Sequence, residues 1–309
     1  MKIAILDDYQ SVALEMADWT DLKGRVEITV FNDHLSDFEA LVRRLEPFDV
    51  ICVMRERTPI RRELIARLPK LKLVASTAPG NAAIDVNAAE ERGIKVVGTG
   101  YRSTPTIEMT WALILASVRN IVTESNSVRS GGWQVGVGEE LEGKTLGVMG
   151  LGRVGGAVAR IGAAFGMKLI AWSQNMTAQA AEAVGAKLVS KDALFEQSDL
   201  LTIHLVLSDR TRGLVGAREL SLMKPTARLI NTSRGPIVDE SALIDVLKRR
   251  KIAGAVLDVF EQEPLPASHP FRGLNNVLAT PHVAYVAKDL YRTFYGDTVK
   301  NIGDWLDTR

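Results

Sequence analysis

Short apolar runs that alternate with helical patterns are the feature that most constrains the fold of this chain. The runs are mainly aliphatic, and each is too short to form a buried helix. Between them lie stretches with apolar residues at helical spacing, as in residues 38–45 and 243–247. Strands separated by helices are typical of βαβ units, whose parallel strands are buried on both faces. The pattern therefore predicts an α/β protein. The predicted strands are residues 3–6, 50–53, 73–75, 94–97, 146–149, 169–172, 200–205, 229–230, 255–259 and 277–279.

A change of pattern near residue 100 divides the chain. Residues 101–128 read as one long helix that follows a capping residue and a helix-start proline in Ser103-Thr104-Pro105. A glycine-rich segment without periodicity follows at 130–138, and a second βαβ series begins after it. A chain of 309 residues also has the length expected of two domains. The terminal helical pattern, 290–306, fits a return to the first domain. The predicted domains are residues 1–99 with 285–309, and residues 100–284.

Composition excludes several classes of function. Lys and Arg number 38 and Asp and Glu number 37, so no net basic field exists to hold nucleic acid or an anionic membrane. The longest clean apolar stretch, 109–118, is far below the roughly 20 residues of a membrane span. The single cysteine, Cys52, forms no internal disulfide and no cysteine-rich metal site. We expect a cytoplasmic protein with neither a nucleic-acid partner nor a metal.

One glycine motif predicts dinucleotide binding. Gly150-Leu151-Gly152-Arg153-Val154-Gly155 has the form G-x-G-x-x-G and lies between a predicted strand and a predicted helix. Gly150 permits a tight turn, Gly152 lets a pyrophosphate approach the backbone, and Gly155 lets the helix pack closely. The pyrophosphate then lies on free N–H groups at the helix start, where Arg153 and Val154 stand. A second match, G-x-x-x-x-G-K-T at 138–145, lacks the strand before it and the helix after it that a P-loop needs, so it is rejected.

The residue expected to contact the cofactor ribose does not decide between NAD and NADP. An acidic residue is expected about 20 residues beyond the glycine motif in NAD-binding chains. Ser173 occupies that position, so a 2′-phosphate is not repelled, but no Arg or Lys follows at once to bind one. Both NAD and NADP stay open, and the sequence predicts weak discrimination between them.

Three predicted strands of the second half end in side chains that can do chemistry. Arg234 follows one strand, Asp258 and Glu263 follow the next, and His282 follows the third. Because ligands bind beyond the carboxyl ends of strands in open α/β sheets, these groups predict a cleft. The sequence contains neither H-E-x-x-H nor G-x-S-x-G, so zinc protease and serine hydrolase activities have no support.

At these residues the chain resembles the D-isomer-specific 2-hydroxyacid dehydrogenase family, which includes phosphoglycerate, glyoxylate/hydroxypyruvate and D-lactate dehydrogenases. The resemblance extends over nearly the whole chain. An earlier block around Gly80 resembles the family's substrate loop, although Ala78, Ala82 and Ala83 replace its usual residues. The blocks that carry the resemblance are Gly150-x-Gly152-x-x-Gly155, Leu222-Met223-Lys224-Pro225 with Asn231-Thr232-Ser233-Arg234-Gly235, Asp258-Val259-Phe260 with Glu263-Pro264-Leu265-Pro266, and Thr280-Pro281-His282.

The resemblance implies a fold and an activity. The fold has two doubly wound parallel sheets, a flavodoxin-like substrate domain and a Rossmann domain for the dinucleotide, and the family forms homodimers. A nicotinamide cofactor exchanges a hydride with a 2-hydroxy or 2-oxo acid. His282 would exchange the proton, Glu263 would favour its imidazolium form, and Arg234 would bind the substrate carboxylate and 2-oxo oxygen. Further cofactor contacts are expected at Ser173, His204, Thr232 and Asp258, and substrate contacts at Gly80, Asn81 and Arg55.

Three alternatives stay open. His204, inside a predicted strand, is favoured as a structural or cofactor-pocket residue over a base, and Arg55 either reads substrate charge or is solvated. The alternative function is a cofactor-binding regulator, similar to corepressors of the same family. A regulator need not keep all three catalytic groups, and this chain keeps them, which favours an enzyme.

Overall fold

The chain forms two compact units in a computed structural model that describes residues 1–308. One unit comprises Met1–Arg102 together with the chain from Val286 onward, and the other comprises Ser103–Tyr285. The boundaries expected from the sequence, at 99/100 and 284/285, are displaced from these by at most a few residues.

The first unit is built on a five-stranded parallel sheet in the order β2-β1-β3-β4-β5. This 2-1-3-4-5 order is that of flavodoxin-like folds. The strands are β1 (Lys2–Ile5), β2 (Glu27–Val30), β3 (Val50–Val53), β4 (Leu73–Ser76) and β5 (Lys95–Gly98), and the helices between them are α1 (Phe38–Leu45), α2 (Arg62–Ala66) and α3 (Val86–Glu91). A short 3-10 helix covers Thr20–Leu22.

The C-terminal helix (Lys288–Asp307) completes this unit and contacts β4. Its 20 residues bury an apolar stripe at helical spacing that includes Leu290, Phe294, Ile302 and Trp305. The other face is polar, so burial against the sheet orients the helix. Neither this helix nor any other within residues 1–308 is long and apolar enough to cross a membrane.

The second unit is built on a seven-stranded parallel sheet in the order β12-β11-β10-β9-β6-β7-β8. When β6 is counted as strand 1, the strands β6 to β11 lie in the 3-2-1-4-5-6 order of dinucleotide-binding folds, and β12 adds a seventh strand at the edge. The strands are β6 (Thr145–Met149), β7 (Lys168–Trp172), β8 (Lys187–Leu188), β9 (Leu200–Ile203), β10 (Arg228–Asn231), β11 (Gly254–Leu257) and β12 (Val277–Ala279). The helices are α4 (Thr104–Val118), α5 (Ile121–Arg129), α6 (Arg153–Ala164), α7 (Ala178–Glu182), α8 (Lys191–Gln197), α9 (Ala217–Leu222) and α10 (Glu240–Lys248), with 3-10 turns at Gly235–Ile237 and Pro270–Arg272.

Strands of the second unit bury both of their faces. Successive residues of β10, Leu229 and Ile230, belong to different apolar clusters on opposite sides of the sheet. Leu200 and Leu201 of β9 divide in the same way. Alternating side chains point to opposite faces of a strand, so a continuous apolar run requires helices on both faces. The predicted α/β class with doubly wound parallel sheets is confirmed.

Several predicted elements differ in their bounds. The helix expected over 101–128 is two helices, because Asn120 adopts a left-handed conformation (φ 54) between them. β9 ends at Ile203 and β11 at Leu257, both earlier than expected. The edge strands β2 and β8 were not predicted, because β2 mixes polar with half-buried apolar residues and β8 has only two residues.

Candidate active site

The glycine motif forms the turn between β6 and α6. Gly150 has φ +96, and a Cβ at this residue would lie 2.6 Å from the His204 carbonyl oxygen. A Cβ at Gly155 would lie 1.9 Å from the Gly150 carbonyl oxygen. Both positions therefore require glycine, the first for a left-handed turn and the second for close packing of the helix against that turn.

The start of α6 is open and uncapped. Gly152 is the N-cap residue and provides no side-chain hydrogen bond, and a Cβ on it would meet no atom within 4 Å. The first N–H groups of a helix have no partner within the helix, and at this position they include those of Arg153 and Val154. These donors and the positive end of the helix dipole suit an anion such as a pyrophosphate. The open space at Gly152 is the observation that fits a dinucleotide.

A cavity of about 330 Å³ lies beyond the carboxyl ends of β7 and β9. We call it the β7–β9 pocket. β6 lies between these two strands, so the pocket is at the edge where the strand order reverses, which is where ligands bind in such sheets. Ser173 belongs to the lining, and so does Arg210, which no sequence motif marks. The lining residues are Trp172, Ser173, Gln174, Asn175, Leu205, Val206, Ser208, Arg210, Thr211 and Leu214.

His204 and Thr232 make hydrogen bonds inside the second unit. His204 Nε2 is 2.8 Å from the Thr202 hydroxyl, and burial lowers the pKa of His204 to about 4, so its ring is neutral at pH 7. The buried Thr232 hydroxyl lies 2.8 Å from that of Thr110 on α4. Both residues thereby stabilise the region of the glycine turn and the strand ends. Their contact with the cofactor stays a prediction.

The Arg234 loop lies directly against the segment that carries Glu263. A Cβ at Gly235 would lie 2.1 Å from the Phe260 carbonyl oxygen, so the two backbones touch where only glycine fits. Phe260 N–H donates to Glu263 Oε1 at 2.9 Å. The partly buried Arg234 donates from Nη1 to the Ser233 carbonyl at 2.7 Å. The ends of β10 and β11 thus place the loop that carries Arg234 against the segment that carries Glu263.

Glu263 also contacts His282. Its Oε2 accepts a hydrogen bond of 2.5 Å from His282 Nδ1, and the two side chains are 29% and 17% exposed. His282 has a left-handed backbone (φ 52), and its ring packs edge-on against Tyr285 at 5.6 Å. Nδ1 is committed to the carboxylate, so Nε2 is the nitrogen that can meet a substrate. The three strand ends therefore supply a guanidinium, a carboxylate and an imidazole to one region of the second unit.

Asp258 binds the turn that carries His282. Its carboxylate is fully buried. Oδ1 accepts from the Thr280 hydroxyl at 2.6 Å and from Val283 N–H at 2.9 Å, and Oδ2 accepts from Ala284 N–H at 2.8 Å. Burial raises the pKa of Asp258, although these hydrogen bonds act in the opposite direction. Asp258 is therefore a positioning residue for the turn, and its expected contact with the nicotinamide stays a prediction.

The expected substrate residues of the first unit lie together after β3 and β4. Asn81 Nδ2 donates to the Arg55 carbonyl at 2.6 Å and to Ser76 Oγ at 3.1 Å, so its amide ties the two loops. The Arg55 guanidinium lies 5.2 Å from the centre of the Tyr101 ring, which is a cation–π distance. Gly80 is exposed, and a Cβ there would meet no atom within 4 Å. The backbone at Gly80 is consequently open to a ligand.

Comparison with known proteins identifies the family. Residues 111–284 match the family described as "D-isomer specific 2-hydroxyacid dehydrogenase, NAD binding domain". The chain belongs to this family. The match covers the glycine turn, the β7–β9 pocket and all three strand ends described above.

Similar proteins extend the comparison to both units. A glyoxylate reductase of Aeropyrum pernix is 44% identical over 237 residues, 74% of this chain and 71% of that protein. The crystal structure of a phosphoglycerate oxidoreductase from Vibrio cholerae has 38% identity and a TM-score of 0.95, with all of both chains covered. A D-lactate dehydrogenase from Aquifex aeolicus, complexed with NAD and lactic acid, has 27% identity and a TM-score of 0.80 over 99% of this chain and 96% of that one.

The predicted family is confirmed, and so is oxidoreductase chemistry on 2-hydroxy and 2-oxo acids with a nicotinamide dinucleotide. Within residues 1–308 no group of three or more His, Cys, Asp or Glu side chains is placed to hold a metal ion.

Proposed function

We propose that the chain reduces a small 2-oxo acid to the D-2-hydroxy acid, and catalyses the reverse reaction, with Arg234, Glu263 and His282 as its catalytic residues. The observation that carries this proposal is the 2.5 Å hydrogen bond between Glu263 Oε2 and His282 Nδ1, with the Arg234 loop against the same segment at Phe260. A carboxylate that orients an imidazole is an arrangement suited to general acid–base catalysis near neutral pH.

Each of the three groups has one task. The bound nicotinamide dinucleotide supplies or accepts the hydride. Arg234 binds the substrate carboxylate and the 2-oxo oxygen through its planar fork of N–H donors. His282 donates a proton from Nε2 to that oxygen as C2 is reduced, and it accepts the proton in the reverse direction. Glu263 holds the ring in this orientation and stabilises the imidazolium through Nδ1.

The glycine turn and the start of α6 would hold the cofactor pyrophosphate, and the β7–β9 pocket would hold the adenosine end. The open space at Gly152 supports the first assignment, and the position of the pocket where the strand order reverses supports the second. In the first unit, we assign the substrate carboxylate's further contacts to the open backbone at Gly80 and Asn81, with Arg55 beside them.

The substrate is tested with a panel of 2-oxo acids: glyoxylate, hydroxypyruvate, pyruvate, phenylpyruvate and 3-phosphohydroxypyruvate. Each is supplied with NADH and with NADPH, loss of the reduced cofactor's ultraviolet absorbance gives the rate, and chiral chromatography gives the product configuration. We expect turnover of at least one acid to the D isomer. Binding of cofactor without turnover of any acid would refute the enzyme and favour the regulator. An L product would refute the stereochemical assignment.

We also propose that the chain forms a homodimer in the cytoplasm. Helix α5 buries none of its residues, and the segment after it exposes Trp133 and Val137, which are 74% and 94% exposed. Two copies related by a two-fold axis would cover this apolar surface, and such dimers are the commonest assembly of soluble proteins. The single, buried Cys52 fits a reducing compartment.

A further inference from the structure

The charge of the β7–β9 pocket comes from one side chain. Among the described residues of its lining, Arg210 alone carries a formal charge. Ser173, Gln174 and Asn175 form the neutral polar part of the lining, and Trp172 and Leu205 are apolar. A cavity of about 330 Å³ is within the size range of small-molecule sites. Its chemistry therefore suits an aromatic or ribose group that carries an additional negative charge.

Arg210 is held by a turn with internal hydrogen bonds. The Thr211 hydroxyl donates to the Val206 carbonyl at 2.7 Å and accepts from Ser208 N–H at 2.8 Å, and Thr211 N–H donates to the Ser208 carbonyl at 3.0 Å. The guanidinium of Arg210 makes no hydrogen bond or ion pair with any of residues 1–308. The turn thus presents a guanidinium in the pocket lining with its donors available.

The part of the lining that follows β7 lacks the group that would exclude a phosphate. In NAD-binding chains an acidic side chain at the end of the second strand binds the ribose hydroxyls and repels a 2′-phosphate. Here β7 ends at Trp172 and Ser173 follows, so the equivalent position offers a hydroxyl and no negative charge. A guanidinium matches the geometry of a phosphate and binds it through charge-assisted hydrogen bonds.

We propose that the β7–β9 pocket binds the 2′-phosphate of NADP, with Arg210 as the cation and Ser173 as the neutral partner, and that the enzyme prefers NADP to NAD. This inference rests on the proposed dinucleotide site of the second unit. It replaces the weak discrimination expected from the sequence, because that expectation assumed that no guanidinium reaches the ribose position. The guanidinium comes instead from the loop after β9.

The direct test measures nucleotide binding without catalysis. Isothermal titration compares adenosine 2′,5′-bisphosphate with 5′-AMP on the full chain, and quenching of Trp172 fluorescence, with Trp172→Phe as the reference, reports occupancy of the pocket. We expect the bisphosphate to bind at least roughly 10-fold more tightly than 5′-AMP, since a charged hydrogen bond contributes about 1.5–3 kcal/mol. The ratio of the two affinities should fall roughly 10–100-fold in Arg210→Met.

Arg212→Met is the matched control. Arg212 is exposed on the same loop and lies outside the pocket lining, so its loss should leave the affinity ratio unchanged. Ser173→Asp should abolish the preference for the bisphosphate by adding a negative charge beside it. Parallel rates should show a preference for NADPH over NADH in kcat/KM that shrinks in Arg210→Met.

Three outcomes would overturn the proposal. Equal affinities of the wild-type chain for the two nucleotides, with 5′-AMP bound, would refute the phosphate site and leave the dinucleotide assignment intact. If the affinity ratio falls as much in Arg212→Met as in Arg210→Met, the preference is a general effect of charge, and the role of Arg210 is refuted. If neither adenosine 2′,5′-bisphosphate nor 5′-AMP binds, and neither NADH nor NADPH binds, the proposed function is refuted as well.

Discussion

Replacing Glu263 by Gln tests the acid–base pair with almost no change in shape. Glu263 accepts two hydrogen bonds, from His282 Nδ1 at 2.5 Å and from Phe260 N–H at 2.9 Å. A carboxylate can serve both donors, whereas an amide has one oxygen and one NH₂ group. If the amide oxygen turns to His282 Nδ1, the NH₂ group faces Phe260 N–H, which is also a donor; if the oxygen turns to Phe260 N–H, the NH₂ group can donate only to an unprotonated Nδ1. In either orientation the negative charge beside the imidazole is lost.

The magnitude follows from these two contacts. Hydrogen bonds to charged groups contribute about 1.5–3 kcal/mol, and neutral ones about half as much. Glu263 is 29% exposed, so water screens part of the effect. We expect a net loss of about 1.5–3 kcal/mol of transition-state stabilisation, which corresponds to a roughly 10–150-fold fall in kcat/KM for 2-oxo acid reduction.

The assay measures steady-state reduction at saturating cofactor, together with cofactor affinity and the melting temperature. Cofactor affinity should stay within about twofold of wild type, because neither contact of Glu263 involves the glycine turn. Glu261→Gln is the matched control, since Glu261 is exposed two positions earlier in the same segment. Retention of more than half of the wild-type kcat/KM in Glu263→Gln would refute the role of the pair. Equal losses in the two variants would refute it as well.

The remaining predictions concern the proton donor, the glycine turn and the assembly. His282→Ala should lower kcat by roughly 10²–10⁴-fold in the same assay with cofactor affinity near wild type, and a variant that keeps most of its activity would exclude His282 as the proton donor. Gly155→Ala should lower the melting temperature and abolish cofactor binding by titration, because its Cβ would lie 1.9 Å from the Gly150 carbonyl oxygen, and unchanged values of both would contradict the packing argument. Light scattering should give a dimer for the wild-type chain and a smaller mean mass for Trp133→Asp; a monomeric wild-type chain at working concentration would refute the assembly.

Sequence patterns predicted the parts of this protein that depend on local geometry. Buried parallel strands require apolar runs, and the glycine turn requires glycine at Gly150 and Gly155, where a Cβ would collide with the backbone. The regional grouping of Arg234, Glu263 and His282 also followed, because the carboxyl ends of neighbouring parallel strands meet at one edge.

Other features depend on contacts between distant loops and leave no periodic trace. Arg210 reaches the β7–β9 pocket through the turn closed by Thr211, and neither residue belongs to a motif. The break between α4 and α5 depends on the left-handed conformation of Asn120, to which hydrophobic periodicity is insensitive. Edge strands such as β2 bury only part of their surface, so their sequences lack the apolar runs that mark central strands.

Asp258 has a structural role that its sequence motif does not predict. The sequence associates this residue with the cofactor, yet its carboxylate accepts three hydrogen bonds from the turn of residues 280–284. His282 lies inside that turn with φ 52, a conformation that non-glycine residues maintain only where the surroundings enforce it. The two backbone N–H groups held by Asp258 belong to the residues directly after His282, so the buried carboxylate enforces the left-handed turn from behind. Glu263 then fixes the imidazole from the side through Nδ1. Two carboxylates from one segment, Asp258 and Glu263, therefore orient a single histidine, the first through its backbone and the second through its ring.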